Sequence, residues 1–137
     1  MRSRSVDVFF YGLFMDEELL RAKGLTPQRA ELASVDRLAL RIGQRAALVP
    51  APGGRVHGVV VTLTLAELDR LYSEPSLREY QPQAVLARLA TGGVVSALCY
   101  NLPRPPSSAE RNPDYAATLR TVAQKVGLPA DYVASLQ

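Results

Sequence analysis

The hydrophobic and polar positions alternate between short β-rich runs and helical stripes. Val6-Asp7-Val8-Phe9-Phe10-Tyr11 has the β-branched and aromatic content of a strand and runs directly into Gly12. Asp16, Glu17 and Glu18 then place acid in the first turn of a helix, where the positive end of the macrodipole favours it. Gly24 and Pro27 end that helix near Lys23. Leu38, Leu40 and Ile42 alternate with Ala39 and Arg41 as a second strand. Ala46–Val49 reads as a short third, stopped by Pro50, Pro52 and Gly53-Gly54, and Val56–Leu63 as a strongly apolar fourth.

Thr64-Leu65-Ala66-Glu67 has capping-box spacing, in which hydroxyl and carboxylate satisfy opposite backbone donors. Leu65, Leu68, Leu71 and Tyr72 form the apolar stripe of a helix kept short by Pro75. Gln83–Ala90 and Val94–Asn101 flank Thr91-Gly92-Gly93, which predicts a hairpin. After the irregular stretch Pro103–Ser108, Asn112 caps a helix with Pro113 at its first position. Tyr115, Leu119, Val122, Ala123 and Val126 follow at helical spacing up to Gly127, and Pro129 starts a last short helix. Six strands joined partly by hairpins, with helices inserted and appended, predict one α+β domain over residues 1–137, built on a small mixed or antiparallel barrel.

Composition narrows the function classes. Hydrophobic residues at 47% and charged residues at 21% are globular values, and 137 residues suffice to bury a core without disulfides or metals. No apolar run approaches the ~20 residues of a membrane span. The basic start, Met1-Arg2-Ser3-Arg4-Ser5, precedes an apolar stretch interrupted by Asp7, too short for a secretory signal. A single cysteine, Cys99, points to a reducing cytoplasm. The +3 net charge comes from scattered basic residues rather than a dense block, so neither a nucleic-acid nor a membrane partner is expected. Oligomeric state is not legible.

Two segments are candidates for chemistry. At Tyr11-Gly12-Leu13-Phe14-Met15 a glycine turn feeds a helix N-terminus, whose N–H groups suit an anion. By itself such a junction is more often a tight turn. Yet Leu13, Phe14 and Met15 are large and apolar where turns prefer small polar residues, so they are either buried or line a pocket. In Leu68-Asp69-Arg70-Leu71-Tyr72-Ser73-Glu74-Pro75, a short helix breaks before Glu74, which Pro75 fixes in place. A carboxylate there, among apolar neighbours, suits general acid–base work, and equally suits a solvated loop.

In this order, and followed by Tyr80 and by Leu98-Cys99-Tyr100, the two segments resemble the gamma-glutamylcyclotransferase-like family from Val6 to about Tyr100. The resemblance implies a small barrel of mixed strands with flanking helices. It further implies a γ-glutamyl small-molecule substrate held by Tyr11, Gly12, Leu13, Phe14 and Met15, mainly through backbone N–H groups, with Tyr80 and Tyr100 at the site. The implied reaction is cyclisation of the γ-glutamyl group to 5-oxoproline with release of an amine. A glutamate shuttles the proton, and the reaction needs no metal or redox cofactor. Two departures stand out. Leu13 replaces the loop's usual serine, and Tyr72 occupies the usual place of the acid. Glu74, two residues on, is the candidate catalytic residue, with Glu79 as fallback.

Two other readings stay open: a small-molecule binding module of the same fold, left by drift of the catalytic segment, and an interaction domain that uses Leu13-Phe14-Met15 against a partner. A carboxylate in a cavity beside Gly12 favours the enzyme, and filled packing around Phe14 favours the interaction domain. Cys99 has no cationic neighbour in sequence and reads as a buried thiol. His57, the single histidine, reads as a strand residue, and Gly53-Gly54 and Gly92-Gly93 as turns.

Overall fold

A run that is apolar at consecutive positions has to be covered on both faces. In the computed structural model, which describes residues 4–137, Val56–Leu63 is covered in this way. It is the second half of β3 (Ala46–Thr64), which runs antiparallel to β1 (Ser5–Phe10) on one edge and to β2 (Arg29–Ile42) on the other. β4 (Gln81–Leu89) and β5 (Val94–Asn101) form the expected hairpin. β4 joins β2 at Ala33↔Leu89 and Ser34↔Arg88, and β5 joins β1 in parallel at Val8↔Leu98. The barrel closes in the order β1-β3-β2-β4-β5.

Period-two alternation then sorts side chains into two cores. Phe9, Val56, Val60, Ala87, Ala97 and Cys99 fill the barrel. Val8, Phe10, Val59, Val61 and Leu63 face outward and are covered by the helices. These are α1 (Glu17–Ala22), α2 (Leu65–Leu71), α3 (Pro113–Val126) and α4 (Ala130–Ser135), which contribute Leu20, Leu68, Leu71, Leu119 and Val133. Two caps are as the sequence predicts: Thr64 and Glu67 complete the capping box, and Asn112 accepts from Tyr115 N–H. Asp16, read as a first-turn acid, is instead the N-cap of α1, accepting from Glu18 N–H, with Glu17 and Glu18 in the first turn. Pro129 caps α4 rather than opening it, and Leu65 is 43% exposed, on the solvent side of α2 rather than in its apolar stripe.

The barrel has five strands where the sequence suggests about six. Pro50, Pro52 and Gly53-Gly54 do not stop the third strand. They form a wide bulge within β3, across which the register jumps from Asp36↔Arg55 to Leu38↔Pro50. Arg37, with φ 70°, absorbs the mismatch on β2. β2 also begins earlier than its alternation reveals, at Arg29. Met1–Ser3, the start of the basic N-terminal run, lie outside the described residues. Among the described residues, no helix is long and apolar enough to cross a membrane.

Gly58 sits where β1 presses closest on β3. A Cβ there would collide with the Phe10 carbonyl oxygen and approach the Phe9 ring to 2.9 Å. Gly53, on the bulge, has nothing within 4 Å of such a Cβ. Gly58→Ala is therefore expected to cost about 1–3 kcal/mol, the usual penalty for overpacking. Gly53→Ala should stay within about 0.5 kcal/mol of wild type. Urea denaturation of both variants checks this, and equal stabilities would contradict the close β1–β3 approach.

Candidate functional site

β1 delivers Tyr11 and Gly12 to one end of the barrel, where the chain turns through a single 3₁₀ turn, Leu13–Met15. The glycine is required by packing: a Cβ at Gly12 would stand 2.8 Å from the Tyr115 hydroxyl of α3. The Met15 and Asp16 N–H groups are used within the turn, bonding the Gly12 and Leu13 carbonyls at 3.1 Å each. Of the four N–H groups expected to form an anion cradle, Gly12 to Met15, only that of Met15 is bonded to another protein group among the described residues. The anion expectation is therefore not closed off by the turn's own hydrogen bonds.

Beside this turn opens a cavity of about 380 Å³, within the range typical of small-ligand sites. The structure brings Tyr11, Gly12, Leu13, Phe14, Glu74, Tyr80 and Tyr100 together around it. Met15 is not among them. It is 2% exposed and points into the core beneath the helices. Asp16 faces away too, capping α1 and pairing with Lys125 at 3.1 Å. The cavity around Phe14 runs against the filled packing that an interaction domain would show.

Tyr72, the C-cap of α2, is a cavity wall, stacked on Tyr100 with ring centroids 3.8 Å apart and planes at 8°. Tyr80 tilts against it at 6.5 Å, and Phe14 meets Phe10 edge-on at 5.8 Å. Two of the phenols are anchored: Tyr11 donates to the Tyr100 carbonyl at 2.9 Å and Tyr80 to the Ala46 carbonyl at 2.6 Å. Burial pushes the hydroxyls of Tyr11, Tyr72, Tyr80, Tyr100 and Tyr115 all above the ordinary phenol value. They are neutral donors and acceptors at physiological pH, and none serves as a base.

The charged groups sit at the rim. Glu74 leads into the short turn Pro75–Leu77, and its Oε1 accepts from Lys23 Nζ at 2.8 Å. Arg45 lies over the Tyr80 ring and pairs with Glu79 at 3.2 Å. Glu79 does not line the cavity and its side chain is 71% exposed. Glu74 is the one carboxylate among the lining residues.

Sequence reasoning missed Tyr115, Lys23 and Arg45. Tyr115 sits at helical spacing with core residues, which hides a hydroxyl aimed at a loop a hundred positions away. Lys23 and Arg45 come from a helix end and a strand start that carry no local signal. The Pro103–Asn112 loop borders a different cleft, with Ser107 and Glu110 against β2.

A family model described as gamma-glutamyl cyclotransferase, AIG2-like, matches residues 8–118. A solved structure named gamma-glutamyl cyclotransferase superposes with a TM-score of 0.81 at 20% identity, covering 98% of this chain and 89% of that one. An uncharacterized protein from Homo sapiens gives 0.79 at 20%, covering 97% and 88%. A gamma-glutamyl cyclotransferase specific to glutathione from yeast gives 0.66 at 13%, covering 98% and 94%. At these identities the likeness is one of fold. No curated protein matches the sequence.

Cys99 lies inside the barrel, fully buried, and burial pushes its thiol up to about 12. At neutral pH that leaves roughly 10³-fold less thiolate than an ordinary cysteine carries. An aromatic disulfide reagent should label the native protein far more slowly than the chain in guanidinium. Equal rates would place the thiol at the surface.

Proposed function

The chain belongs to the gamma-glutamyl cyclotransferase, AIG2-like family, and on that premise we propose that it cyclises a γ-glutamyl amide to 5-oxoproline, with Glu74 carrying the proton. The observation behind this reading is that Glu74 is the one carboxylate lining the cavity that the Gly12 turn also lines. The free α-amine of the substrate attacks its own γ-carbonyl. The new C–N bond closes a five-membered ring, the old amide C–N bond breaks, and the proton shed by the attacking nitrogen ends on the departing one. One carboxylate can accept that proton and deliver it in sequence. The five neutral phenols are ineligible as bases, which leaves the role to Glu74.

The aromatic walls contribute orientation. The attack is intramolecular by the substrate's own covalent structure, and holding the α-amine over the γ-carbonyl selects the conformer in which it is productive. Tyr115, whose hydroxyl lies beside Gly12, is held protonated by burial and keeps its proton to donate. It thereby supplies beside Gly12 the hydroxyl that Leu13, in place of the family's serine, lacks. A developing oxyanion on the γ-carbonyl is a suitable acceptor for it.

A second reading is favoured by one observation. Tyr72 stands stacked on Tyr100 where the family keeps its acid, and Glu74 is held by Lys23 at the rim. In that reading the pocket binds a γ-glutamyl compound without turning it over.

Glu74→Gln separates the two. If Glu74 moves the proton, kcat for 5-oxoproline release from γ-glutamyl amides should fall by about 10²–10⁴-fold. The matched change Glu79→Gln, at an exposed position, should be nearly silent. Turnover that survives Glu74→Gln but is lost with Glu79→Gln would move the role by five residues. Binding without turnover in the wild-type protein would favour the binding module.

A further inference from the structure

The cavity's lining bears on which amine leaves, a question that rests on the γ-glutamyl reading above. The leaving half of a γ-glutamyl amino acid carries a second carboxylate beside the one on the glutamyl half. Buried without a partner, that group costs its full desolvation. The cavity has two cations, Lys23 and Arg45, both partly exposed at the rim and each in a weak pair, with Glu74 at 2.8 Å and with Glu79 at 3.2 Å. The carboxylate of the glutamyl half and a second one on the leaving half would compete for the same two groups. The other polar side chains on the lining, besides the phenols, are those of Gln44 and Ser76, which are neutral.

The rest of the wall is aromatic or aliphatic. Tyr72 and Tyr100 stack at 3.8 Å, Phe10 and Phe14 meet edge-on at 5.8 Å, and Leu77 extends the same surface on the Pro75–Leu77 turn. Aromatic surfaces of this kind favour flat apolar groups in offset or edge contact beyond simple area burial. We propose that the amine released is an apolar arylalkylamine without a second charge, so that the substrate class is the γ-glutamyl arylalkylamides. Tyr72 is then a specificity residue, a wall for the leaving amine at the position from which the acid has moved away.

The probes are γ-glutamyl-2-phenylethylamide and γ-glutamylalanine, compared on the wild-type protein, in which the Lys23–Glu74 pair is intact, by kcat/KM for 5-oxoproline release and, for a probe that is not turned over, by calorimetric binding. The phenylethylamide should be preferred by roughly tenfold or more in either readout, on the scale that apolar pocket contacts discriminate. Leu77→Lys, which adds a cation to a half-buried position on a surface turn, should shift the preference toward γ-glutamylalanine. Tyr72→Leu, which keeps the wall apolar without the ring, should weaken phenylethylamide binding by a larger factor than γ-glutamylalanine binding, narrowing the preference between them. Circular dichroism confirms that each variant is folded. Equal or better binding of γ-glutamylalanine overturns the specificity while leaving the cyclotransferase reading intact. Preferred binding of the phenylethylamide without turnover of either probe supports the specificity and counts against the cyclotransferase. Binding of neither probe overturns the proposed occupant.

Discussion

β3 is the strand on which the other elements depend, because it pairs along both edges and buries both faces. Its edges hold β1 and β2, its inner face lines the barrel through Val56 and Val60, and its outer face carries the helices through Val59, Val61 and Leu63. The arrangement works only if β1 crosses closely, and Gly58, with no side chain, provides the room beneath Phe9 and Phe10. The same close crossing sets where β1 ends. Tyr11 and Gly12 emerge at the barrel mouth, within reach of α3 and its Tyr115 hydroxyl. The candidate site thus follows from strand packing, which sets the Gly12 turn beside the Tyr115 hydroxyl.

Much of this was legible in the sequence where the signal is local. The helix caps at Thr64–Glu67 and Asn112, the acidic first turn of α1, and the hairpin around Thr91-Gly92-Gly93 depend on residues within a few positions of one another. Readings failed where tertiary pairing overrides local preference. Pro50 and Pro52 ordinarily end a strand, yet partners on both sides carry β3 past a wide bulge, and two expected strands became one. Leu65 fitted the apolar spacing of α2 but falls on the side that β3 does not cover. Of the cavity lining, Tyr11, Gly12, Leu13, Phe14, Tyr80 and Tyr100 were legible through the family pattern, and Glu74 as the nearest acid to the place where that pattern is broken, just before Pro75. Lys23, Arg45 and Tyr115 were not, since nothing in their neighbourhoods says what they face.

The electrostatics of the cavity follow from the division between its wall and its rim. Phenols buried in the wall become harder to ionise, so the interior is neutral and rich in hydroxyls. The charges stay where water reaches them, as the Lys23–Glu74 and Arg45–Glu79 pairs. Partly exposed pairs of this sort contribute little to stability. Their consequence is to keep both cations and the Glu74 carboxylate at the edge of an apolar space.

Tyr72 and Glu74 together show what moving an acid by two residues does. At the C-cap of α2 a side chain is directed into the cavity, and the ring of Tyr72 takes that direction and stacks on Tyr100. Two positions later the helix has ended, the backbone at Glu74 is extended with ψ 137°, and the side chain lies along the rim. A side chain at the Tyr72 position is shielded from solvent by the rings around it, whereas the Glu74 carboxylate stays near the opening, shared with Lys23. If the cavity turns over a γ-glutamyl amide as proposed, these two neighbouring residues of one short segment would divide the work, Tyr72 packing against the amine and Glu74 meeting the proton.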